Sequence, residues 1–257
     1  MGVLWDKVRF DLWHRKARTL LAVLSIAAGV FAIGTMFGLS DQMLSGMDAA
    51  HRSVDPSHLN LVLRRPIDRD TAEALTGIPG VVGVEPLNIA TVRYKTSPDQ
   101  AEWQAATVVA RHDYEKQTYD RLELKEGNWP SSKQIAVERI TSRYYGIDMG
   151  DEVIFEVDGT DRPFPVAGKI RHPFVPPPQF GGNAYFFVDE SMMARFGFPE
   201  GQYVQLLVQV APYSEDYARD RAAAIKDELA KQGVGVSLVL YQEPDKHWGH
   251  DTVLGIT

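Results

Sequence analysis

The chain has 257 residues, no cysteine and a net charge of -7. The absence of cysteine excludes disulfides, thiolate metal sites, cysteine nucleophiles and membrane attachment through a lipidated cysteine. The acidic balance argues against the basic face of nucleic-acid-binding proteins, so we expect no nucleic-acid partner.

Residues 1–18 predict a short amphipathic helix on the cytoplasmic surface of a membrane. Trp5 and Trp13 would anchor it, because an indole ring places an apolar body and a polar N–H at the level of the lipid headgroups. The alternative interpretation is that this stretch is the frayed start of the helix that follows.

Residues 19–40 contain no charged residue and no proline. Because a helix rises about 1.5 Å per residue, about 20 residues cover the hydrocarbon core of a bilayer. We therefore predict a transmembrane helix, rather than a buried core helix or a cleavable signal peptide, whose apolar region is usually about 7–15 residues long. The small residues that would allow close contact with another transmembrane helix are Ser25, Gly29, Gly34 and Gly38.

The charge before this helix predicts its orientation. Residues 1–18 carry five basic and two acidic residues. Since cationic flanks stay in the cytoplasm, we expect a cytoplasmic N-terminus, a helix in the cell (inner) membrane and an extracytoplasmic main domain.

Residues 41–55 keep helical character and predict a stalk that leaves the membrane and ends near Pro56. Met43 and Met47 fall on one side of this helix and would pack the stalk. The alternative is a polar linker.

A first βαβ unit follows the stalk. Residues 59–63 alternate as a strand does, and Pro66 is expected to end this strand. Asp68 can cap a helix that runs to about Leu75. Further strands are predicted over residues 81–84, 89–94 and 103–109.

A second βαβ unit lies near the C-terminus. Residues 203–210 form a strand, Ser214 is a good N-cap, Gly233 stops the helix, and residues 236–240 return as a strand. The predicted class is therefore α+β, with one ferredoxin-like, porter-type domain built from residues 56–110 and 203–243.

Residues 111–202 predict an inserted, β-rich lobe of mixed α/β structure. Asp158-Gly159 is a hairpin signal within it, Gly146 stops one short helix and Asp189 caps another. A loop of extended polyproline conformation is expected near residue 177. It is either a structural connection or a loop that contacts a partner, and the residues that would make this contact are Pro176, Pro177, Pro178 and Phe180.

Residues 244–257 predict the start of a second transmembrane helix that this chain does not complete, because residues 252–257 turn apolar. The same stretch holds two histidines and an aspartate that could ligate a metal: His247, His250 and Asp251. We favour the interpretation that Trp248 lies at the membrane interface among polar neighbours over that of a metal site.

No catalytic constellation is apparent in the sequence. There is no P-loop, no HExxH and no GxSxG. We therefore predict no catalytic residue, no cofactor and no metal site.

Three stretches resemble FtsX/MacB-type ABC transporter permeases. Residues 11–38, DLWHRKARTLLAVLSIAAGVFAIGTMFG, are similar to the stretch that opens that family's first span. Residues 69–86 end in PGVVGVEP, similar to the family's PGVxxVxP. Residues 146–167, GIDMGDEVIFEVDGTDRPFPVA, resemble its GxxxGDxVxxxxxGxxxPFxVxG hairpin.

The resemblance implies a MacB-like periplasmic core domain, a separate ATP-binding subunit, and a dimer with a second permease copy or homologue. It implies a mechanotransmitter, whose outer domain moves when ATP is hydrolysed in the cytoplasm, with a periplasmic adaptor or an exported substrate as a further partner. The remaining spans and the cytoplasmic coupling segment are not in this sequence. The alternative hypothesis is a membrane-anchored extracytoplasmic module for ligand binding or sensing.

Overall fold

Helix α1, Lys16–Arg52, is a single helix of 37 residues. The computed structural model describes residue 13 and residues 16–176, 178–247 and 249, apart from the side chain of Phe180. By length and composition, α1 is able to cross a membrane. Two hydroxyls of its apolar segment bond to carbonyls of the same helix, since Ser25 Oγ donates to Leu21 O at 2.8 Å and Thr35 Oγ1 donates to Phe31 O at 2.7 Å.

The predicted continuation of this helix beyond residue 40 is confirmed, and it ends at Arg52, close to Pro56. The chain divides into two units, one of residues 50–249 and one of the remaining residues. The larger unit holds the sheet and the other helices.

Ten strands form one sheet. They are β1 Leu59–Asp68, β2 Val81–Lys95, β3 Gln104–Arg111, β4 Glu123–Gly127, β5 Ile135–Glu138, β6 Glu152–Val157, β7 Thr160–Arg171, β8 Ala184–Asp189, β9 Gln202–Val210 and β10 Val236–Tyr241. The further helices are α2 Arg69–Ala74, α3 Arg139–Tyr145, α4 Glu190–Met193 and α5 Glu215–Lys231, with 3₁₀ turns at Leu75–Gly77, Pro178–Phe180 and Ala194–Phe196.

The sheet order is β10-β1-β9-β2-β3-β8-β5-β7-β4, while β6 pairs with β2 and β7. Strand β9 lies between β1 and β2 and is antiparallel to both, so β1 and β2 are parallel. Strand β1 is antiparallel to both β9 and β10, so those two are parallel as well. The two predicted βαβ units are therefore present, interleaved in one sheet, and the α+β class is confirmed.

Local capping signals explain the helix ends. Asp68 Oδ1 accepts from Thr71 N at 2.8 Å, and Ser214 Oγ accepts from Tyr217 N at 3.1 Å. Asp189 caps α4, and Gly146 ends α3 with a φ of 67°. A positive φ suits glycine because it has no Cβ. Each of these four predicted ends is confirmed.

Three local predictions differ from the structure. Strand β1 does not end at Pro66 but continues to Asp68, with a shift of register between Val62 and Ile67, where a missing proline N–H costs no ladder hydrogen bond. Strand β4 has no predicted counterpart, because its charged residues hide the alternation. The polyproline loop turns into a 3₁₀ helix at Pro178–Phe180 instead of staying extended.

Buried side chains form three clusters. One packs α2 and α5 on β1 and β9, around Leu61, Leu206 and Ile225. A second fills the other half of the sheet, around Phe155 and Phe186. A third contains residues from β2, β3, β5, β7, β8 and β9. Side chains of β3, which precedes the predicted boundary at residue 110, lie in the second cluster together with those of the predicted insertion. The subdomain boundaries at residues 110 and 203 therefore stay predictions.

Candidate functional site

The small residues of α1 lie on two opposite faces. At about 100° per residue, Ser25 and Gly29 share one face, and Gly34 and Gly38 lie about 180° away from it. A Cβ placed at any of the three glycines would meet no atom within 4 Å. Within the described part of the chain the two faces are therefore open, and each has the spacing that allows a second helix to approach.

The other predicted membrane and stalk residues also lie on or beside α1. Trp13 is exposed, and Lys16 Nζ lies 4.7 Å from the centre of its ring. Met43 is exposed and Met47 is half-buried. Trp5 lies outside the described residues.

The last turn of α1 is bonded to the segment that follows β10. His51 is buried, and its Nε2 lies 2.7 Å from Glu243 O. Because a carbonyl oxygen only accepts, this nitrogen carries the proton. Arg52 Nη1 donates to Asp245 O at 3.1 Å. Side chains of the segment that leads into the sheet thus bond the backbone of the segment that leads out of it.

The residues just after α1 are held by a second segment, 118–121. Asp120 N donates to Asp55 O at 3.0 Å, and Arg121 N donates to Val54 O at 2.9 Å. The carboxylate of Asp120 accepts from Ser57 N at 2.7 Å and from Ser57 Oγ at 2.9 Å. We call residues 51–57, 118–121 and 242–245 together the junction.

Arg121 adds a more exposed clamp to the junction. Its Nη2 donates to Ser53 O at 3.0 Å and forms an ion pair with Asp55 Oδ2 at 2.8 Å. Asp55 itself has a φ of 49°, so the chain turns sharply between α1 and β1.

A buried arginine connects the junction to the sheet. Arg111, at the end of β3, donates to Tyr119 O at 2.9 Å and to Asp120 O at 2.8 Å. Its charge is balanced by Glu85 of β2, with Nη1 2.6 Å from Oε1. The other oxygen of Glu85 accepts from the backbone N–H groups of residues 118 and 119, each at 2.8 Å.

Burial also changes the protonation of this region. Burial raises the pKa of Asp120 to about 6, although the hydrogen bonds from Ser57 and the charge of Arg111 act in the opposite direction. Desolvation lowers the pKa of His172 to about 3, so its imidazole is neutral at physiological pH.

A cavity of about 560 Å³ lies on the sheet face opposite α5. It reaches from β10 across to β8, and its apolar wall includes Val62, Leu87, Leu207, Leu238, Leu240 and Phe174. Arg111, Asp120 and His172 contribute polar groups to the same cavity. A mostly apolar cavity of this size with a few polar groups is typical of a ligand site.

The proline-rich loop borders this cavity. Pro176 is exposed and lines it, whereas Pro178 is buried and begins a 3₁₀ turn. Phe180 ends that turn, and its side chain and Pro177 lie outside the described residues. The loop is thus both a structural connection and part of a cavity wall, and its contact with a partner stays a prediction.

Of the three possible metal ligands near the C-terminus, His247 alone lies within the described residues. His247 lies near His51, with ring centres 5.8 Å apart, and His250 and Asp251 are outside the described residues. Within the described ranges, no three or more histidine, aspartate or glutamate side chains are placed to hold a metal ion.

Glu85, Arg111 and Asp120 were missed as functional candidates in the sequence. Each is an isolated charged residue without a motif, and they lie up to 35 positions apart along the chain. The one available signal is that Arg111 ends an otherwise uncharged strand, where a buried charge must find a partner.

Three solved structures are similar to this chain at low sequence identity. The extracellular domain of the noncanonic ABC-type transporter YknZ from Gram-positive bacteria is 14% identical, with a TM-score of 0.43 over 70% of this chain and 100% of that one. The periplasmic region of MacB from Actinobacillus actinomycetemcomitans is 11% identical, with a TM-score of 0.46 over 77% of this chain and 91% of that one. A domain of a putative permease protein from Porphyromonas gingivalis is 13% identical, with a TM-score of 0.43 over 79% of this chain and 98% of that one.

With TM-scores below 0.5, these similarities carry no weight in the assignment. No curated protein matches the sequence at a significant level. The sequence model of the MacB-like periplasmic core domain, however, matches residues 19–231, most of the chain. The resemblance noted in the sequence is confirmed, and the chain belongs to the family of the MacB-like periplasmic core domain.

Proposed function

We propose that the chain is the N-terminal part of the permease subunit of an ABC-type exporter or mechanotransmission complex. A separate subunit binds and hydrolyses ATP, and the extracytoplasmic domain moves in response. The family makes the chain a permease-type component, and with its apolar helix it is a membrane protein with an extracytoplasmic domain.

The observation that carries this proposal is the junction. A helix that only anchors a domain requires no such contacts, whereas α1 is bonded to the domain as soon as it ends. Its last turn contacts residues 243 and 245, and the next residues contact residues 120 and 121. A movement at the end of α1 would therefore be transmitted to the residues that it contacts, because no flexible linker lies between them.

From the junction, the contacts continue into the sheet. Ser57 bonds Asp120, Asp120 O bonds Arg111, and Arg111 is the last residue of β3. The pair with Glu85 fixes Arg111 to β2 as well. Displacement of α1 would thus be passed to two central strands, whose packed core moves as a solid body.

The remaining features of the complex follow the same proposal. The N-terminus is cytoplasmic in the cell (inner) membrane, with Trp5 and Trp13 at the inner interface. The two small-residue faces of α1 contact other helices, including those of a second permease copy, and residues 244–257 lead into a second span. A periplasmic adaptor or exported substrate would contact the extracytoplasmic domain.

The experiment is purification of the native protein from its own membranes in mild detergent, followed by an ATPase assay. We expect an ATP-binding subunit to copurify in stoichiometric amount. Thr160→Cys in the exposed β6–β7 hairpin introduces a labelling site into this domain, which has no cysteine of its own, for distance measurements between copies. ATP should shift the distance distribution.

Arg121→Ala removes two contacts of the junction and should reduce the ATP-dependent shift while the ATPase still copurifies. Lys231→Ala is the control, since it removes an exposed ion pair with Glu228 at the C-terminal end of α5. A protein that purifies alone, or an Arg121→Ala variant that moves as the parent does, would contradict the proposal.

A membrane-anchored ligand-binding or sensing module is the second candidate, favoured by the apolar cavity. It requires no ATPase partner. A protein that purifies alone with a small molecule in the cavity would support this candidate instead.

A further inference from the structure

The two edges of the sheet differ in how they are protected. Strand β4, at one edge, carries Glu123, Lys125 and Glu126 and is surrounded by ion pairs with Lys169 and Arg171. Charged side chains on an edge strand prevent it from pairing with other chains. Strand β10, at the other edge, has the sequence VSLVLY, without a charge or a proline.

The outer side of β10 offers unpaired backbone groups. Among the described residues, β10 pairs with β1 alone. Gln242 N donates to His58 O, which fixes the alternation of the antiparallel ladder. Residues 238 and 240 then bond to β1, whereas the N–H and C=O groups of Val239 and Tyr241 point away from it. An extended peptide is the partner whose groups match this alternation.

The side chains of β10 add an apolar surface beside that edge. Val239 and Tyr241 pack on the α5 side, while Leu238 and Leu240 are each 48% exposed and line the cavity of about 560 Å³. A strand added to β10 would lie about 4.8 Å further out, with alternate side chains next to these two leucines. Apolar side chains at those positions would enter the mouth of the cavity.

Charge gives the added strand a direction. Arg64 and Arg65 are exposed beside the start of β10, and Arg64 N bonds Gly235 O. Glu243 and Asp245 are exposed just beyond its end. Within the part of the chain that the structure describes, none of these four side chains forms an ion pair. The acidic end of an added segment would therefore lie beside the two arginines, because the two acids repel it at the other end of β10.

We propose that β10 accepts an extended segment of an extracytoplasmic partner protein by β-strand addition, with alternate apolar side chains against Leu238 and Leu240 and acidic residues beside Arg64 and Arg65. The pairing is antiparallel, as between β10 and β1, so the acidic residues are at the C-terminal end of the segment. This goes beyond the proposed function and does not depend on an ATPase.

The test uses the full chain in lipid nanodiscs, without ATP and without free detergent. The probe is a fluorescent peptide with alternating threonine and valine and two C-terminal glutamates, and binding is followed by anisotropy. We expect saturable binding, at least tenfold weaker for the same peptide N-methylated at alternate residues, which cannot donate the ladder hydrogen bonds. Lysines in place of the glutamates should also weaken binding, and Arg64→Ala with Arg65→Ala should remove that difference.

Val239→Pro removes one outward N–H without removing a hydrogen bond to β1, and Leu238→Lys places a charge at the cavity mouth. Both should weaken binding at least tenfold. Val82→Lys is the matched control, an exposed valine on β2 that does not line the cavity, and it should bind as the parent does. Thermal unfolding checks that each variant is folded, and the N-methylated peptide tests the parent protein itself. Equal binding of the N-methylated and parent peptides, or no binding of either, would overturn the proposal.

Discussion

At the scale of single residues, the junction depends on charged groups buried where the sequence shows no motif. Asp120 and Arg111 are each 3% exposed. Asp120 uses both carboxylate oxygens on Ser57, and Arg111 uses its guanidinium on two carbonyls and Glu85. Removing one partner of such a set leaves the other buried and unpaired, which costs more than the contact itself contributes.

The raised pKa of Asp120 makes stability depend on pH. In an unfolded chain aspartate ionises near pH 4, whereas in the folded protein Asp120 keeps its proton to about pH 6. The folded state binds more protons in this window, so the free energy of unfolding falls as pH rises from 4 to 6. Asp120→Asn cannot ionise and should remove this contribution.

We therefore expect the unfolding free energy of Asp120→Asn, relative to the parent, to rise by about 1–3 kcal/mol between pH 4 and pH 7 in urea titrations. Comparing the two proteins at each pH cancels the titration of all other groups. Asp120→Ala is the control, since it loses the bonds from Ser57 at every pH and should be less stable throughout. An unchanged difference between pH 4 and pH 7 would contradict the assignment.

At the scale of elements, α1 presents two separate contact faces. Because Gly29, Gly34 and Gly38 meet no neighbour among the residues that the structure describes, a larger side chain there strains nothing in that part of the chain, and leucine is a better helix former than glycine. Any loss of assembly on substitution therefore reports a contact with another helix.

Gly29→Leu and Gly34→Leu should each lower association of two differently tagged copies, or of the chain with its permease partner, by about tenfold, equivalent to about 1.4 kcal/mol. Ala28→Leu is the matched control, because Ala28 lies about 80–100° from both faces and undergoes the same kind of enlargement. The measurement is crosslinking in native membranes. Loss of association in Ala28→Leu equal to that in both glycine variants would disprove two specific faces.

The ends of helices are the part of this fold that the sequence predicts well, because the signal is local. Asp68, Asp189 and Ser214 bond to N–H groups two or three residues away, and Gly146 needs only its own backbone freedom. The continuation of β1 past Pro66 depends on its pairing with β9, and the formation of β4 depends on its pairing with β7. Both partners are distant in sequence. The bond between Ser57 and Asp120 and the cavity under the proline-rich loop are equally non-local, so no pattern within a short window indicates them.

At the scale of the whole domain, one sheet unites what the sequence presents as a domain and an insertion. Strand β2 pairs with β9 over residues 81–87 and with β3 over residues 87–94. The third buried cluster includes Leu207 from one half and Phe187 from the other. Neither half can unfold without exposing the cluster they share.

We therefore expect one calorimetric transition for the sheet domain rather than two. Ile225→Ala, in the α5 half, and Phe186→Ala, in the other half, should each lower the Tm of that single transition, since burial of either side chain contributes about 2–5 kcal/mol. The measurement is differential scanning calorimetry. Two peaks, of which each substitution shifts only one, would show that the halves unfold independently.

The hydrogen bond between His51 and Glu243 shows that the two ends of the sheet domain adjoin, and this affects how the domain can be exchanged. The backbone leaves the sheet domain close to the place where it enters, since His51 Nε2 and Glu243 O are 2.7 Å apart. A domain whose two ends adjoin can be inserted at a single point of a host protein without disturbing what precedes or follows it. The closeness of its two ends therefore allows the domain from residue 51 to residue 245 to be replaced whole by another domain of the same end spacing.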